Sequence, residues 1–227
     1  MIKINYLTKL KLFSLLRKIF KKINLHIFYY KKINYFKEIN VDNVIDVGVA
    51  YGTDFLLKNF PNANFYLIEP NPLFFDHINN KISKNYNTKL FKIAAGNEIG
   101  KKKFWYSEGF SSFIQREDYK LKKQIDVQID KLDHILEKEN FEGKNLLKID
   151  TEGYELEVLK GSEKILKLVD YLVLEIRLEN IKTYNPSEII SFLYNKNFVL
   201  HKILKVNYFK YGISYLDAIF IKNDFTL

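Results

Sequence analysis

Val44-Ile45-Asp46-Val47-Gly48-Val49-Ala50-Tyr51-Gly52 is the stretch from which the rest of the chain can be read. An apolar, largely β-branched run ends in an acid and then in two glycines four residues apart. Such a run reads as a strand buried on both faces. The glycines let the chain turn sharply out of that strand and let its backbone approach a ligand. In an open parallel sheet, ligands bind beyond the carboxyl ends of the strands. The stretch therefore predicts a first strand that carries a binding turn.

The segments that follow supply the rest of such a sheet. Thr53 to Asn59 reads as a short helix closed by Pro61, and Asn64 to Ile68 as a second strand ending at Glu69-Pro70. Asn71 can cap a helix with Pro72 at its first position, running to about Lys84. Lys89 to Ala94 reads as a third strand, ending at Ala95-Gly96. Strand, helix, strand, helix, strand implies an α/β fold with a parallel sheet and crossover connections. Beyond it, Lys103 to Tyr106 and Asp126 to Ile129 read as short strands around a polar loop, and Asp130 to Glu139 as a helix. Leu146 to Asp150 is a strand, Tyr154 to Leu168 a helix, Tyr171 to Ile176 a strand and Pro186 to Asn195 a helix. Phe198 to Leu204 and Asp217 to Ile221 close the sheet.

The net charge of +9 suggests a nucleic-acid binder until its distribution is examined. Residues 1–40 hold ten Lys or Arg and one acid, Glu38, whereas residues 41–227 hold 26 bases and 26 acids. The domain of residues 41–227 is thus neutral, which argues against nucleic acid as a partner. Residues 1–40 form a basic arm with Leu7, Leu10, Phe13, Leu16, Phe20 and Ile23 at helical spacing. This pattern predicts an amphipathic helix that packs on its own domain, on a partner or on an anionic membrane surface. Its apolar runs are too short to span a bilayer, and it has no signal-peptide core. The chain has no cysteine, which excludes disulfides and thiol catalysis and fits a cytoplasmic protein.

Two constellations carry chemistry. Asp46, Gly48 and Gly52 form a D-x-G-x-x-x-G turn, and Glu69 ends the next strand, where an acid can accept hydrogen bonds from both hydroxyls of a ribose. The G-x-G-x-x-G spacing that seats a dinucleotide pyrophosphate is absent, so a nicotinamide oxidoreductase fits poorly. A phosphate-free zwitterion such as S-adenosylmethionine fits better, with Ala94 and Ala95 small enough to admit an adenine beside the backbone. The second constellation runs L-L-K-I-D-T-E-G-Y-E-L-E-V-L-K-G from Leu146 to Gly161. Lys148 and Asp150 share a strand face, and a buried lysine there requires a carboxylate. Glu175 sits in an otherwise apolar strand and needs a partner, with Lys148 or a divalent cation shared with Asp150 as the candidates. Trp105, Tyr106, Phe110 and Phe113 in the loop from Lys101 to Gln124 could cover a sugar ring.

These motifs, in this order, resemble those of FkbM-type methyltransferases: V-I-D-V-G-V-A-Y-G, L-I-E-P-N-P-L-F-F, A-A-G-N-E-I-G, S-S-F, I-D-K-L-D and L-L-K-I-D-T-E-G-Y-E-L-E-V-L-K-G, over about residues 41–222. The resemblance implies a class I methyltransferase fold, Rossmann-like, with helices on both faces of a mainly parallel sheet and an antiparallel closing strand. It also implies S-adenosylmethionine as donor and a hydroxyl of a sugar, polysaccharide or related small molecule as acceptor. Asp46, Gly48, Gly52, Glu69, Ala94 and Ala95 then fall on the donor side. Asp150, Lys148, Glu152 and Glu175 fall on the catalytic side, with Asp150 as first choice of base. Ala50 stands where many members have Asn, and Phe55 where many have Thr. The contrasting expectation is a non-catalytic protein of the same fold, tethered by its basic arm.

Overall fold

The computed structural model describes residues 35–106, 111–114, 123–178, 183–210 and 212–223. The chain divides at Ile39/Asn40. Of the first unit only residues 35–39 are described, and they contain a 3-10 turn, Tyr35–Lys37. The amphipathic pattern read in residues 1–34 lies outside the described residues.

The second unit is built on a seven-stranded sheet. Its strands are β1 (Asn43–Val47), β2 (Asn64–Ile68), β3 (Thr88–Phe91), β8 (Asn145–Ile149), β9 (Tyr171–Arg177), β10 (Phe198–Phe209) and β11 (Gly212–Lys222). They lie in the order β10-β11-β9-β8-β1-β2-β3. The pairs from β9 through β3 are parallel, and β11 runs antiparallel to both of its neighbours. This is the mainly parallel α/β sheet with an antiparallel closing strand that the sequence implied. Every residue of β1 and of β8 is buried, as their continuous apolar runs require.

The chain builds outward from β1 in one direction, to β2 and β3, and later in the other, to β8 and β9. The reversal point is the β1/β8 pair, where a crevice opens beyond the strand ends. At the other end of the same strands, side-chain amides form a ladder. Asn43 Nδ2 donates to Asn145 Oδ1 (2.9 Å), Asn64 Nδ2 to Asn43 Oδ1 (2.9 Å) and Asn87 Nδ2 to Asn64 Oδ1 (2.6 Å).

The middle of the chain departs from the sequence reading. The third strand stops at Phe91, and Ala94–Ala95 (β4) belongs to a second sheet. That sheet has the order β4-β7-β5-β6, with β5 (Gly100–Tyr106), β6 (Ser111–Ser112) and β7 (Lys123–Asp130). Trp105 and Tyr106 lie in β5, as the reading of Lys103 to Tyr106 as a strand had them, and Phe110 lies outside the described residues. The expected short strands became long because β5 and β7 pair along their length, Gly100 to Tyr106 against Ile129 to Lys123. In β7 the exposed Gln124, Asp126 and Gln128 alternate with Ile125, Val127 and Ile129, which suits a sheet covered on one face.

The α-helices are α1 (Asp54–Asn59), α2 (Phe75–His77), α3 (Leu132–Ile135), α4 (Glu155–Lys160), α5 (Ile165–Leu168) and α6 (Pro186–Asn195). Asn71 and Pro72 start a 3-10 turn that leads into α2 and then a π turn, Ile78–Ile82. The expected helix from Tyr154 to Leu168 breaks at Gly161, where a Cβ would meet the Gly96 carbonyl oxygen at 1.9 Å. The expected helix from Asp130 to Glu139 shortens to α3. One apolar cluster joins Ile45, Val47, Leu147, Ile149 and Leu174 to Phe104, Val127 and Ile129 of the small sheet and to Leu156, Leu159 and Ile165. By alternation Val44, Phe65, Leu67, Leu146 and Val173 face the other way, where Leu56, Ile78 and Ile82 are equally buried.

Candidate active site

The crevice at the β1/β8 reversal holds a cavity of about 240 Å³, lined among others by Gly48, Glu69, Ala94, Ala95, Phe104, Phe113, Asp150, Glu152 and Tyr154. On the β1 side, Gly48 adopts φ +82°, a left-handed conformation that favours glycine. A Cβ there would lie 1.9 Å from the Asp150 carbonyl oxygen, so the two motifs meet backbone to backbone. The Asp150 amide donates to the Val47 carbonyl (3.0 Å), and the Gly48 amide to that of Ile68 (3.0 Å). Ala50 also has positive φ, +48°. Its amide donates to Glu69 Oε2 (2.8 Å), and the Asn71 amide to Glu69 Oε1 (2.7 Å). Glu69 is thus fixed in the cavity wall beside the glycine turn. Burial raises it from 4.5 to about 7, against the pull of these two amides. Asn71 in turn donates from Nδ2 to Ser111 Oγ (2.7 Å), which ties β6 to the end of β2.

On the β8 side, the register sets Lys148 directly opposite Asp46. Lys148 Nζ lies 3.0 Å from Asp46 Oδ1, donates to the Gly48 carbonyl (2.6 Å) and stands 3.7 Å from Asp150 Oδ2. Burial opposes the Lys148 charge, but Asp46 and Asp150 outweigh it and hold the ammonium well above the ordinary lysine range. Burial likewise pushes Asp46 up, opposed by Lys148. The loop after β8 is built around Glu155, whose Oε1 accepts from the amides of Thr151 and Gly153 (2.9 Å each) and whose Oε2 accepts from Tyr184 Oη (2.8 Å). That loop carries Glu152 at φ +56° and turns its carboxylate onto Arg177 Nη2. Ser112 Oγ donates to the Glu152 carbonyl (3.0 Å), which ties the small sheet to the same turn.

Of the residues singled out in the sequence, Gly48, Glu69, Ala94, Ala95, Asp150 and Glu152 line the cavity. Asp46 and Lys148 lie behind its floor as a buried pair. Gly52 shapes the turn into α1, with φ +103°. Glu175 lies beside Asp150 and Glu152. Its charged neighbour in the strand is Arg177, whose Nε is 3.4 Å from Glu175 Oε1, and not Lys148, which Asp46 occupies. The cause is alternation: residues two apart in β9 share a face. Burial, then the Asp150 and Glu152 carboxylates, push Glu175 well above the ordinary carboxylate range. Arg177, Tyr154, Tyr184 and Asn71 were not assigned site roles from the sequence. An arginine two residues after a glutamate in an apolar strand was a signal for the first. The others depend on loop closure, which leaves no local pattern.

The Methyltransferase FkbM domain matches residues 46–200, well over half of the chain. The hexuronic acid methyltransferase AglP of Haloferax volcanii is 28% identical over 144 residues, which cover 62% of this chain and 58% of that protein. The chain thus matches less than two thirds of that relative's length. Among solved structures it is similar to precorrin-6y C5,15-methyltransferase from Geobacter metallireducens, with a TM-score of 0.48, 10% identity and coverage of 83% of this chain and 84% of that one. It is similar also to magnesium protoporphyrin IX methyltransferase from Synechocystis, with a TM-score of 0.47, 10% identity and coverage of 92% and 96%. With this domain match laid over the β1 turn, the β8 motif and the sheet between them, the chain belongs to the FkbM methyltransferase family.

Proposed function

We propose that this chain transfers the methyl group of S-adenosylmethionine to a hydroxyl of a sugar, a polysaccharide or a related small molecule. The observation that carries the reading is one cleft in which the Gly48 turn and Glu69 face Asp150 and Glu152. A relative named for a hexuronic acid supports a carbohydrate acceptor. The residues present fit the donor. Glu69 keeps lone pairs for two ribose hydroxyls after accepting its two amides, and Ala94 and Ala95 leave space beside their backbone for a flat base. Gly48 lets the β1 turn and the Asp150 main chain come close, where a Cβ could not fit.

When bound, S-adenosylmethionine supplies a methyl group already activated on a sulfonium. The chain's residues then have to align an acceptor oxygen with it and exclude water. A sugar hydroxyl is a weak nucleophile at neutral pH, and Asp150 is the half-exposed carboxylate placed to take its proton. Lys148 holds that carboxylate and the glycine turn at once, so it positions both halves of the site. Glu152 and Glu175 complete the acidic wall, and a divalent cation shared by these carboxylates is the other way to prepare the hydroxyl. A donor made inside cells supports action in the cytoplasm. The charge of +9 in residues 1–40 supports contact with an anionic membrane surface.

Asp150→Asn is expected to reduce methyl transfer by a factor of about 100 or more. Donor affinity, read by calorimetry, should stay within about threefold of wild type, because the Asp150 side chain is not among the groups assigned to the donor. An Asp150→Asn protein that turns over normally would overturn the assignment of the base. A wild-type protein that fails to bind S-adenosylmethionine would favour the tethered, non-catalytic alternative.

A further inference from the structure

Three carboxylates from two strand ends converge beside the cleft. Asp150 and Glu152 follow β8, and Glu175 comes from β9. One oxygen atom from each lies within 4.8 Å of the others. Oxygen ligands around one hard divalent cation sit about 2.0–2.6 Å from it, so pairs of them fall about 3–5 Å apart. The three carboxylates therefore already stand at the spacing of a shared ion.

A second observation is independent of the clustering. Glu175 is 7% exposed, and its Oε1 accepts no hydrogen bond among the described residues. A buried carboxylate oxygen in that state is costly unless a cation or donor reaches it. Arg177 meets this oxygen only in part, as an ion pair without a hydrogen bond. Arg177 Nε stands 3.4 Å off without donating to it, while Arg177 Nη2 contacts Glu152. Lys148 is held by Asp46 and the Gly48 carbonyl. The next strand adds another acid, since Asp217 of β11 is the cross-strand partner of Glu175, with Lys205 opposite it on β10. Like charges directly opposite each other destabilise a sheet.

We propose that Asp150, Glu152 and Glu175 hold one hard divalent cation, of the magnesium, manganese or calcium class, at the acceptor side of the cleft. Because Asp150 and Glu152 line the cavity, an ion held by them would be within reach of it. An acceptor would present oxygen atoms there, such as vicinal hydroxyls or a uronic carboxylate. Without the cation, an acidic wall would repel an anionic sugar; with it, the same wall attracts one. The inference deepens the transfer reading of the same cleft, and Asp150→Asn silences transfer whether Asp150 acts as base or as ligand. Metal binding is what separates those roles.

The test uses the full chain and Mn²⁺ alone, followed by electron paramagnetic resonance, with no donor or acceptor present. One Mn²⁺ per chain is expected, and Glu175→Gln should weaken it about tenfold or more. Asp54→Asn, which removes an exposed acid on α1, should leave it unchanged. Circular dichroism checks that each variant is folded. Two results would overturn the site: wild-type protein that binds no Mn²⁺ at up to millimolar concentration, or a folded Glu175→Gln protein that binds as tightly as wild type. S-adenosylmethionine binding is measured separately by calorimetry in chelator. Donor binding without Mn²⁺ binding removes the cation and leaves the methyltransferase reading standing. Mn²⁺ binding without donor binding does the reverse.

Discussion

Ala50 illustrates how one residue can carry the strain of a site. It sits in the left-handed region at φ +48°, in the turn that presents its amide to Glu69. That conformation costs an ordinary L-residue about 1–2 kcal/mol, and Asn tolerates it better. Ala50→Asn is therefore expected to raise stability by about 0.5–1 kcal/mol, seen as a higher denaturant midpoint. An unchanged or lower midpoint would show that the turn is not strained there. Glu69 makes the second point at this scale. Its native value of about 7 lies above the ordinary 4.5, so the folded protein binds the extra proton between those values. Its contribution to stability is full below about 4.5 and is lost as pH rises through about 7. The contribution is on the order of 3 kcal/mol, and Glu69→Gln should abolish this part of the pH slope. Donor affinity should run the other way. It should rise between pH 6 and 8 as the carboxylate ionises to meet ribose hydroxyls and a cationic ligand, and calorimetry at the two pH values reads this directly.

Among the elements, the turn between β8 and α4 holds the acidic wall in place. Glu155 gathers the amides of Thr151 and Gly153 and the hydroxyl of Tyr184. Glu155→Ala leaves those groups without their acceptor and is expected to cost about 2–4 kcal/mol in chemical unfolding, with the slope unchanged. Glu155→Gln keeps an acceptor for the amides and should lose much less. An equal loss in both would mean that charge, not the hydrogen bonds, organises the turn. This element also marks the limit of sequence reading. Lys148 and Asp150 were legible because strand alternation is strict, and Asn71 with Pro72 announced the start of a helix. Nothing local announced that Glu155 would fold back on its own turn, whereas Gly161 is itself a residue at which helices commonly end. At that position the main chain of Gly96, from another part of the chain, comes too close for a Cβ. Ala94 and Ala95 were read at the end of a third strand, yet they open the small sheet, because pairing with Ile129 and Asp130 decides their place. Hydrophobic pattern gives a strand its faces but not its partner.

The whole molecule divides its charge: the arm of residues 1–40 carries the excess, and the remainder is balanced. The full chain is accordingly expected to co-sediment with vesicles containing anionic lipid, but not with neutral vesicles, and to be released by about 0.5 M salt. Equal sedimentation with both would remove the electrostatic reading. The main sheet poses a different problem at this scale. Strands β1 and β8 are buried on both faces. Sliding one of them by two residues would keep every side chain on its own face, so burial distinguishes such a slip from the native pairing only weakly. Asn43, Asn64, Asn87 and Asn145 make that distinction, because each amide meets the next only when all four strands start level. A slip of β1 against β8 leaves the buried amides of Asn43 and Asn145 unanswered, while Asn64 and Asn87 carry the same register outward at the exposed strand starts. The ladder therefore acts as a ruler for the opposite end of the molecule: by fixing where each strand begins, it fixes where Gly48, Glu69 and Asp150 emerge.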